Sequence, residues 1–381
     1  MKNKSADGLR GIAALNVAIT HFVAAFLPSM LHKNYPSAFP ANPAPDTAFN
    51  IVTSPLATIL YNGHFAVLIF FALSGYVLTM PYFSAQPQTQ AQVQVLQKRF
   101  WGRYLRLNIP IAVAVLLSWA LYHVGLYANQ QVAPVSGSTR WLTVFYQDGI
   151  TASTMLREAS YESLVMGAAT LVPPLWTLKV EFIGSLYVLA FYLARPRRTL
   201  APMLMAFLML YAVHKEESIY YYVIFLGASL NAIRIGPSAK LLLCALGLYF
   251  GSFQFESAAY DFLPMLYLHG VDLWDKKNFY NAIGALCLTA AVVQGFGQAV
   301  FEHRIVQFLA RISFSLYLLH FMILCSLAAN FYLYFPQTKV FLAANFVLYL
   351  GVCFIAALLF EKYIDRGAIH VSHRFSSKLF S

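Results

Sequence analysis

The chain has 381 residues, of which 59% are hydrophobic and 11% charged, and its formal net charge is +11. Soluble proteins carry about 25% charged residues, so this composition excludes an ordinary water-soluble domain and calls for a bilayer as solvent. The positive balance would suit nucleic acid, but the basic residues flank apolar runs, as they do in the cytoplasmic loops of membrane proteins, and no nucleic-acid partner is needed to explain them.

In chain order, the apolar stretches that read as membrane helices fall at roughly 8–30, 55–80, 107–127, 171–194, 199–213, 219–233, 239–253, 279–300, 312–333 and 341–363. Lys2, Lys4 and Arg10, the basic residues of 98–106, Arg195, Arg197, Arg198, Arg234, Lys240, Arg304, Arg311, and those of 362–378 then share one side, which holds most of the Lys and Arg. The expectation is an all-α integral membrane protein, a bundle of about ten transmembrane helices with both termini cytoplasmic. It forms a single domain over 1–381, with no appended extracytoplasmic domain. Lys2 and Lys4 ahead of an apolar run resemble a signal peptide, but Asp7 and Arg10 interrupt the run and favour an uncleaved first helix. Cys244, Cys287, Cys325 and Cys353 each lie in an apolar run without CxxC spacing, so they read as buried thiols, with neither disulfide nor metal site. The weakly charged segments 31–54 and 128–170, the second with Trp141, Phe145, Tyr146 and Tyr161, are expected as outer loops at the membrane interface.

Ionisable residues inside membrane spans need an explanation. At 3.6 residues per turn, Asp7, Arg10 and His21 share one face of the first helix, with His21 about 21 Å along the axis from Asp7. A neutral imidazole there can accept a hydroxyl proton and return it; a histidine satisfied by a neighbouring helix is the alternative. Arg99, Arg103 and Arg106 stand at i, i+4 and i+7, one helical stripe whose guanidinium groups suit phosphates, or lipid headgroups. In Leu175–Glu181, Thr177 and Glu181 share a face of the fourth span, and a structural ion pair is the alternative to a chemical role for Glu181. Ser313, Tyr317 and His320 form a polar stripe on the ninth span that interhelical hydrogen bonding would also explain. Ser74 and Gly75 in the second span read as packing residues, and Glu361–Arg366 as charges that pair with one another. No GxxxxGK[ST], GxSxG or HExxH motif occurs, which argues against a nucleotide motor, a serine hydrolase and a zinc site.

The order of these motifs resembles the membrane acyltransferase-3 family. Asp7-Gly-Leu-Arg10 followed by His21 is similar to that family's opening, and Phe70-Phe71-Ala-Leu-Ser74-Gly75-Tyr76 to its FFxLSG segment. Arg103-Tyr-Leu-Arg106 is similar to its RxxR element, Trp176-Thr177 through Glu181 to its WSLxxE element, and Ser313 through His320 to its SYxLYLxH element. The resemblance covers residues 5–367. Ala66, Thr177, Phe314 and Gly367 depart from the usual glycine, serine, tyrosine and proline, and none of these removes His21 or the arginine pair. The resemblance implies acyl transfer, most commonly of acetyl, from cytoplasmic acetyl-CoA or another acyl-CoA to a hydroxyl of an extracytoplasmic carbohydrate such as O-antigen or exopolysaccharide, in a bacterial cytoplasmic membrane. Acyl-CoA is a donor substrate and no permanent cofactor is expected. His21, Glu181 and His320 are the expected catalytic set, Arg10, Arg99, Arg103 and Arg106 the donor-binding set, with Asp7, Ser74, Trp176, Ser313 and Tyr317 in support. The rival reading is a proton-coupled secondary transporter with His21, Glu181 and His320 as its relay.

Overall fold

The computed structural model describes residues 3–83, 90–194, 200–264, 267–268, 271–272 and 274–379. Lys2, Arg195, Arg197 and Arg198, assigned above to the basic side, lie outside them. Each expected apolar stretch falls on a helix: α1 (Lys4–Phe26), α2 (Gly63–Phe83), α3 (Gln90–His123), α4 (Trp176–Leu193), α5 (Leu200–His214), α6 (Ser218–Ser229), α7 (Pro237–Gly251), α8 (Lys276–Val293), α9 (Arg304–Ile323) and α10 (Lys339–Phe360), followed by α11 (Arg366–Lys378). Among the described residues, six segments are long and apolar enough to cross a membrane: Lys4–Phe26, Gly63–Phe83, Gln90–His123, Pro173–Leu193, Arg304–Tyr334 and Lys339–Lys378. The chain is therefore an all-α membrane protein. A two-residue antiparallel pair, β1 (Tyr267–Leu268) with β2 (Val271–Asp272), lies between α7 and α8.

Where helix ends differ from expectation, local chemistry explains the shift. The Asn3 side chain accepts from the Ala6 amide at 3.0 Å, so α1 starts four residues early, and Pro28 opens a new turn just after it ends. On a helix rising about 1.5 Å per residue, His21 then sits three-quarters of the way along, towards the end opposite Asp7 rather than at the midplane. The α3 helix begins well before the expected span, which brings the whole arginine stripe into one 34-residue helix. Segments 31–54 and 128–170 are not open loops. They hold short helices, Thr47–Val52 in the first and Asn129–Ser136 and Thr139–Leu142 in the second, and the second packs inward, with Trp141 and Phe145 against the main core.

Two helix ends pass through π turns, which recur at functional sites. The first, Leu324–Ala328, continues α9, and the second, Glu361–Asp365, joins α10 to α11. A third, Glu158–Glu162, holds the fully buried Glu158. Its carboxylate accepts from the amides of Thr170 and Leu171 at 2.9 and 3.1 Å, tying down the segment that leads into α4.

In a bilayer, helices associate through close van der Waals packing, which small residues permit. The α1–α9 contact depends on this. A Cβ at Gly11 would lie 2.7 Å from the Leu309 carbonyl carbon, and Ala14 and Ala18 further along α1 are fully buried. Gly75 of α2 packs in the same way on the backbone of α6 at Ile224.

Gly11→Ala should therefore push α1 off α9 and lower the thermal-aggregation midpoint in detergent by an amount equivalent to about 1–3 kcal/mol of overpacking. Gly351→Ala, at a position where a Cβ meets nothing within 4 Å, is the matched control. Equal midpoints for the two variants would contradict the packing account.

Candidate active site

The helices α1, α2, α3, α4 and α9 enclose a cavity of about 270 Å³ towards the basic end, here called the arginine chamber. Its walls include Arg10, Ser74, Arg103, Arg106, Glu181, Arg311, Ser313, Tyr317 and Asp365. A second cavity of about 290 Å³, the histidine chamber, lies further along α1, α2, α4 and α9. It is lined by His21, His64, Trp141, Phe145, Trp176 and Phe321 among others. Val67, Thr177 and Tyr317 line both, so they form the wall between them. The Thr177 hydroxyl donates to the Pro174 carbonyl at 3.0 Å and lies 2.7 Å from the Tyr317 hydroxyl, which can donate to it.

Four guanidinium groups and two carboxylates line the arginine chamber. Each arginine is held by a carboxylate: Arg10 by Asp7 at 2.8 Å, Arg103 by Glu181 at 2.6 Å, Arg106 by Asp365 at 2.6 Å and Arg311 by Glu361 at 3.2 Å. The Arg103 Nε also donates to Ser185 at 3.0 Å. Ser74 lies 3.4 Å from the same Glu181 oxygen, and Arg106 sits over the Phe314 ring at 5.3 Å. A guanidinium has five N–H donors, so these carboxylates orient the arginines without exhausting them. The buried Nε of Arg10 has no hydrogen-bond partner among the described residues, which suits an anionic ligand.

Arg99 stands apart from this group. Pro81 inside α2 has no N–H for the carbonyl of Val77, four residues earlier. Arg99 donates to that carbonyl at 2.7 Å and to Leu78 at 2.8 Å. It repairs a helix rather than lining the chamber. Glu181 is likewise the partner of Arg103, away from the histidines. Ser313 donates to the Ala310 carbonyl, and Lys179 turns out to pair with Glu217 at 3.2 Å.

At the wall of the histidine chamber the structure brings His21 together with the buried His320. His21 Nδ1 lies 2.7 Å from His320 Nε2, with the rings stacked at a centroid distance of 5.0 Å. His320 Nδ1 lies 3.0 Å from the Leu316 carbonyl. A carbonyl can only accept, so His320 carries its proton on Nδ1, and its Nε2 presents a lone pair to His21. His21 must then donate from Nδ1, which leaves its Nε2 lone pair as the basic, nucleophilic nitrogen. Trp141 stacks on the His21 ring at 5.7 Å and Phe321 meets it edge-on at 5.2 Å. Tyr35, outside the spans, also lines this chamber; burial first, then Tyr220 and Asp275, push its phenol above the ordinary value, so it stays a neutral donor.

Sequence reasoning missed Arg311, Trp141, Phe145 and His64. Arg311, two residues before the polar stripe of α9, was legible as a charge on an amphipathic helix. Trp141 and Phe145 come from a segment without periodicity, and nothing in the residues points them inward.

Comparisons with known proteins identify a family for the chain. A family model described as an acyltransferase domain matches residues 3–362. The chain is 23% identical to "Acyltransferase R4" of Phoma sp. over 95% of this chain and 93% of that protein. It is also 23% identical to "O-acetyltransferase PaAT-1" of Phomopsis amygdali, over 75% of this chain and 55% of that protein. No solved structure matches the chain.

If Glu181 serves mainly to hold Arg103, the pair behaves as a unit. A double-mutant cycle on Arg103→Ala and Glu181→Ala, read by thermal unfolding, should give a coupling energy of about 0.5–3 kcal/mol. Additive effects would show that the 2.6 Å contact carries no stability.

Proposed function

This chain belongs to the acyltransferase family whose model spans residues 3–362, and on that premise we propose that it transfers an acyl group, acetyl foremost, from cytoplasmic acyl-CoA to a hydroxyl of a carbohydrate on the far side of the membrane. The observation that carries the reading is the ordered hydrogen-bond train from the Leu316 carbonyl through His320 to His21, ending in a free Nε2 in a chamber of its own.

In this reading Arg10, Arg103, Arg106 and Arg311 bind the phosphates of coenzyme A at the cytoplasmic mouth, using the N–H groups their carboxylates leave free. The thioester end extends past Val67, Thr177 and Tyr317 towards His21. The acceptor lies against Trp141 and Trp176, whose ring faces suit the C–H faces of a sugar. His21 Nε2 takes the hydroxyl proton as the hydroxyl oxygen attacks the thioester carbonyl carbon. A C–O bond forms, the C–S bond breaks, and His21 returns its proton to the departing thiolate. While His21 is protonated, its Nδ1–H remains bonded to His320, which shares the positive charge through that bond. The same lone pair could instead take the acyl group before the hydroxyl does; both routes use Nε2 and require the same tautomer. Asp7 and Glu181 hold Arg10 and Arg103 in place, and Ser74 and Ser313 complete the polar wall of the donor chamber.

The test uses membranes carrying the wild-type chain, His21→Ala or His320→Ala, supplied with radiolabelled acetyl-CoA, with label followed into carbohydrate. Transfer should fall by about 10²–10⁴-fold in His21→Ala, the usual contribution of a general base, and fall in His320→Ala as well. Normal transfer by His21→Ala would remove it from the chemistry. Solute uptake without transfer in the wild type would favour a transporter.

A further inference from the structure

The histidine chamber contains a second histidine that the proposed reaction does not use. His64 stands in the first turn of α2 and lines the same cavity as His21. Its Nε2 is buried and has no hydrogen-bond partner among the described residues. Its ring is held edge-on to Tyr220 at 6.1 Å. Just before it, Gly63 brings α2 so close to α1 that a Cβ there would lie 3.2 Å from Thr20, the neighbour of His21. With Nε2 closed in by protein, Nδ1 is the nitrogen that a molecule in the cavity can reach, and an unpartnered polar atom there gains by taking a hydrogen bond from a ligand.

We propose that His64 binds the acceptor, hydrogen-bonding a second oxygen of the molecule whose first oxygen is acylated at His21. The inference rests on the reading of the histidine chamber as the acceptor site, and it narrows that reading. The acceptor carries at least two oxygen functions close enough to reach both histidines, as a diol or sugar ring does, and a simple alcohol fills only one position. The chamber is otherwise mostly apolar and aromatic. His64 thereby acts as a specificity residue, selecting which hydroxyl faces His21.

The experiment compares two alcohols as surrogate acceptors for the purified full chain with radiolabelled acetyl-CoA: trans-1,2-cyclohexanediol and cyclohexanol. Wild type should prefer the diol. In His64→Ala the ratio of kcat/KM for diol over mono-alcohol should drop by about tenfold, the loss expected for one hydrogen bond to a buried group. In His64→Gln, which keeps a donor and an acceptor, part of the preference should return. The ratio is taken within each variant, so differences in the amount of folded protein cancel. A ratio equal to wild type in both variants would overturn the assignment of His64 and leave the acceptor site intact. Loss of transfer to both alcohols in both variants, with the protein still monodisperse, would also overturn it, because His64 would then serve chemistry or folding. Failure of the wild type to acetylate either alcohol would instead overturn the acceptor-site reading on which the proposal rests.

Discussion

The site depends on the hydrogen bond between His21 and His320, and that bond depends on how closely α1 approaches α9. Gly11 lets the two backbones touch. With the helices in contact, the Leu316 carbonyl holds the His320 proton on Nδ1, and His320 in turn holds the His21 proton on Nδ1. Nothing charged is needed to set this polarity, which suits a site inside a membrane, where a carboxylate partner would carry a large desolvation penalty. A backbone carbonyl, already part of the helix, does the work that an aspartate does in soluble hydrolases.

A second constraint is the division of the interior into two chambers. Guanidinium and carboxylate groups line the chamber at the basic end, while the other is aromatic and carries only neutral polar groups and imidazoles. A single wall of Val67, Thr177 and Tyr317 separates them. Such a layout suits a substrate with an anionic head and a slender reactive tail, since the head has favourable contacts on one side only. It also separates Glu181 from the histidine pair. A proton relay through His21, Glu181 and His320 would have to cross that wall, so the arrangement favours acyl transfer over a proton-coupled transporter.

Much of this was legible in the residues. Hydropathy located the helices, and helical geometry put Asp7, Arg10 and His21 on one face. The order of five short motifs pointed to the acyltransferase family, which the family match bears out. What was not legible follows from tertiary contact. The Arg99, Arg103 and Arg106 stripe is real as helical geometry, yet the carbonyl left free by Pro81 draws Arg99 away from the other two. Glu181 and His320 were grouped with His21 by type; neighbouring helices give Glu181 to Arg103 and His320 to His21. Segment 128–170 has the composition of an interfacial loop, and only the folded chain turns Trp141 onto His21.

The central claim is that the reactive nitrogen of the site is His21 Nε2, selected by a chain of hydrogen bonds that starts at a backbone carbonyl. Nitrogen-15 NMR of histidine-labelled protein in bilayers tests it directly, with the His21 signals among the ten histidines identified by their loss in His21→Gln. At neutral pH the account predicts a protonated Nδ1 and an unprotonated Nε2 for His21, with the same tautomer in His320. A His21 that carries its proton on Nε2 would contradict it.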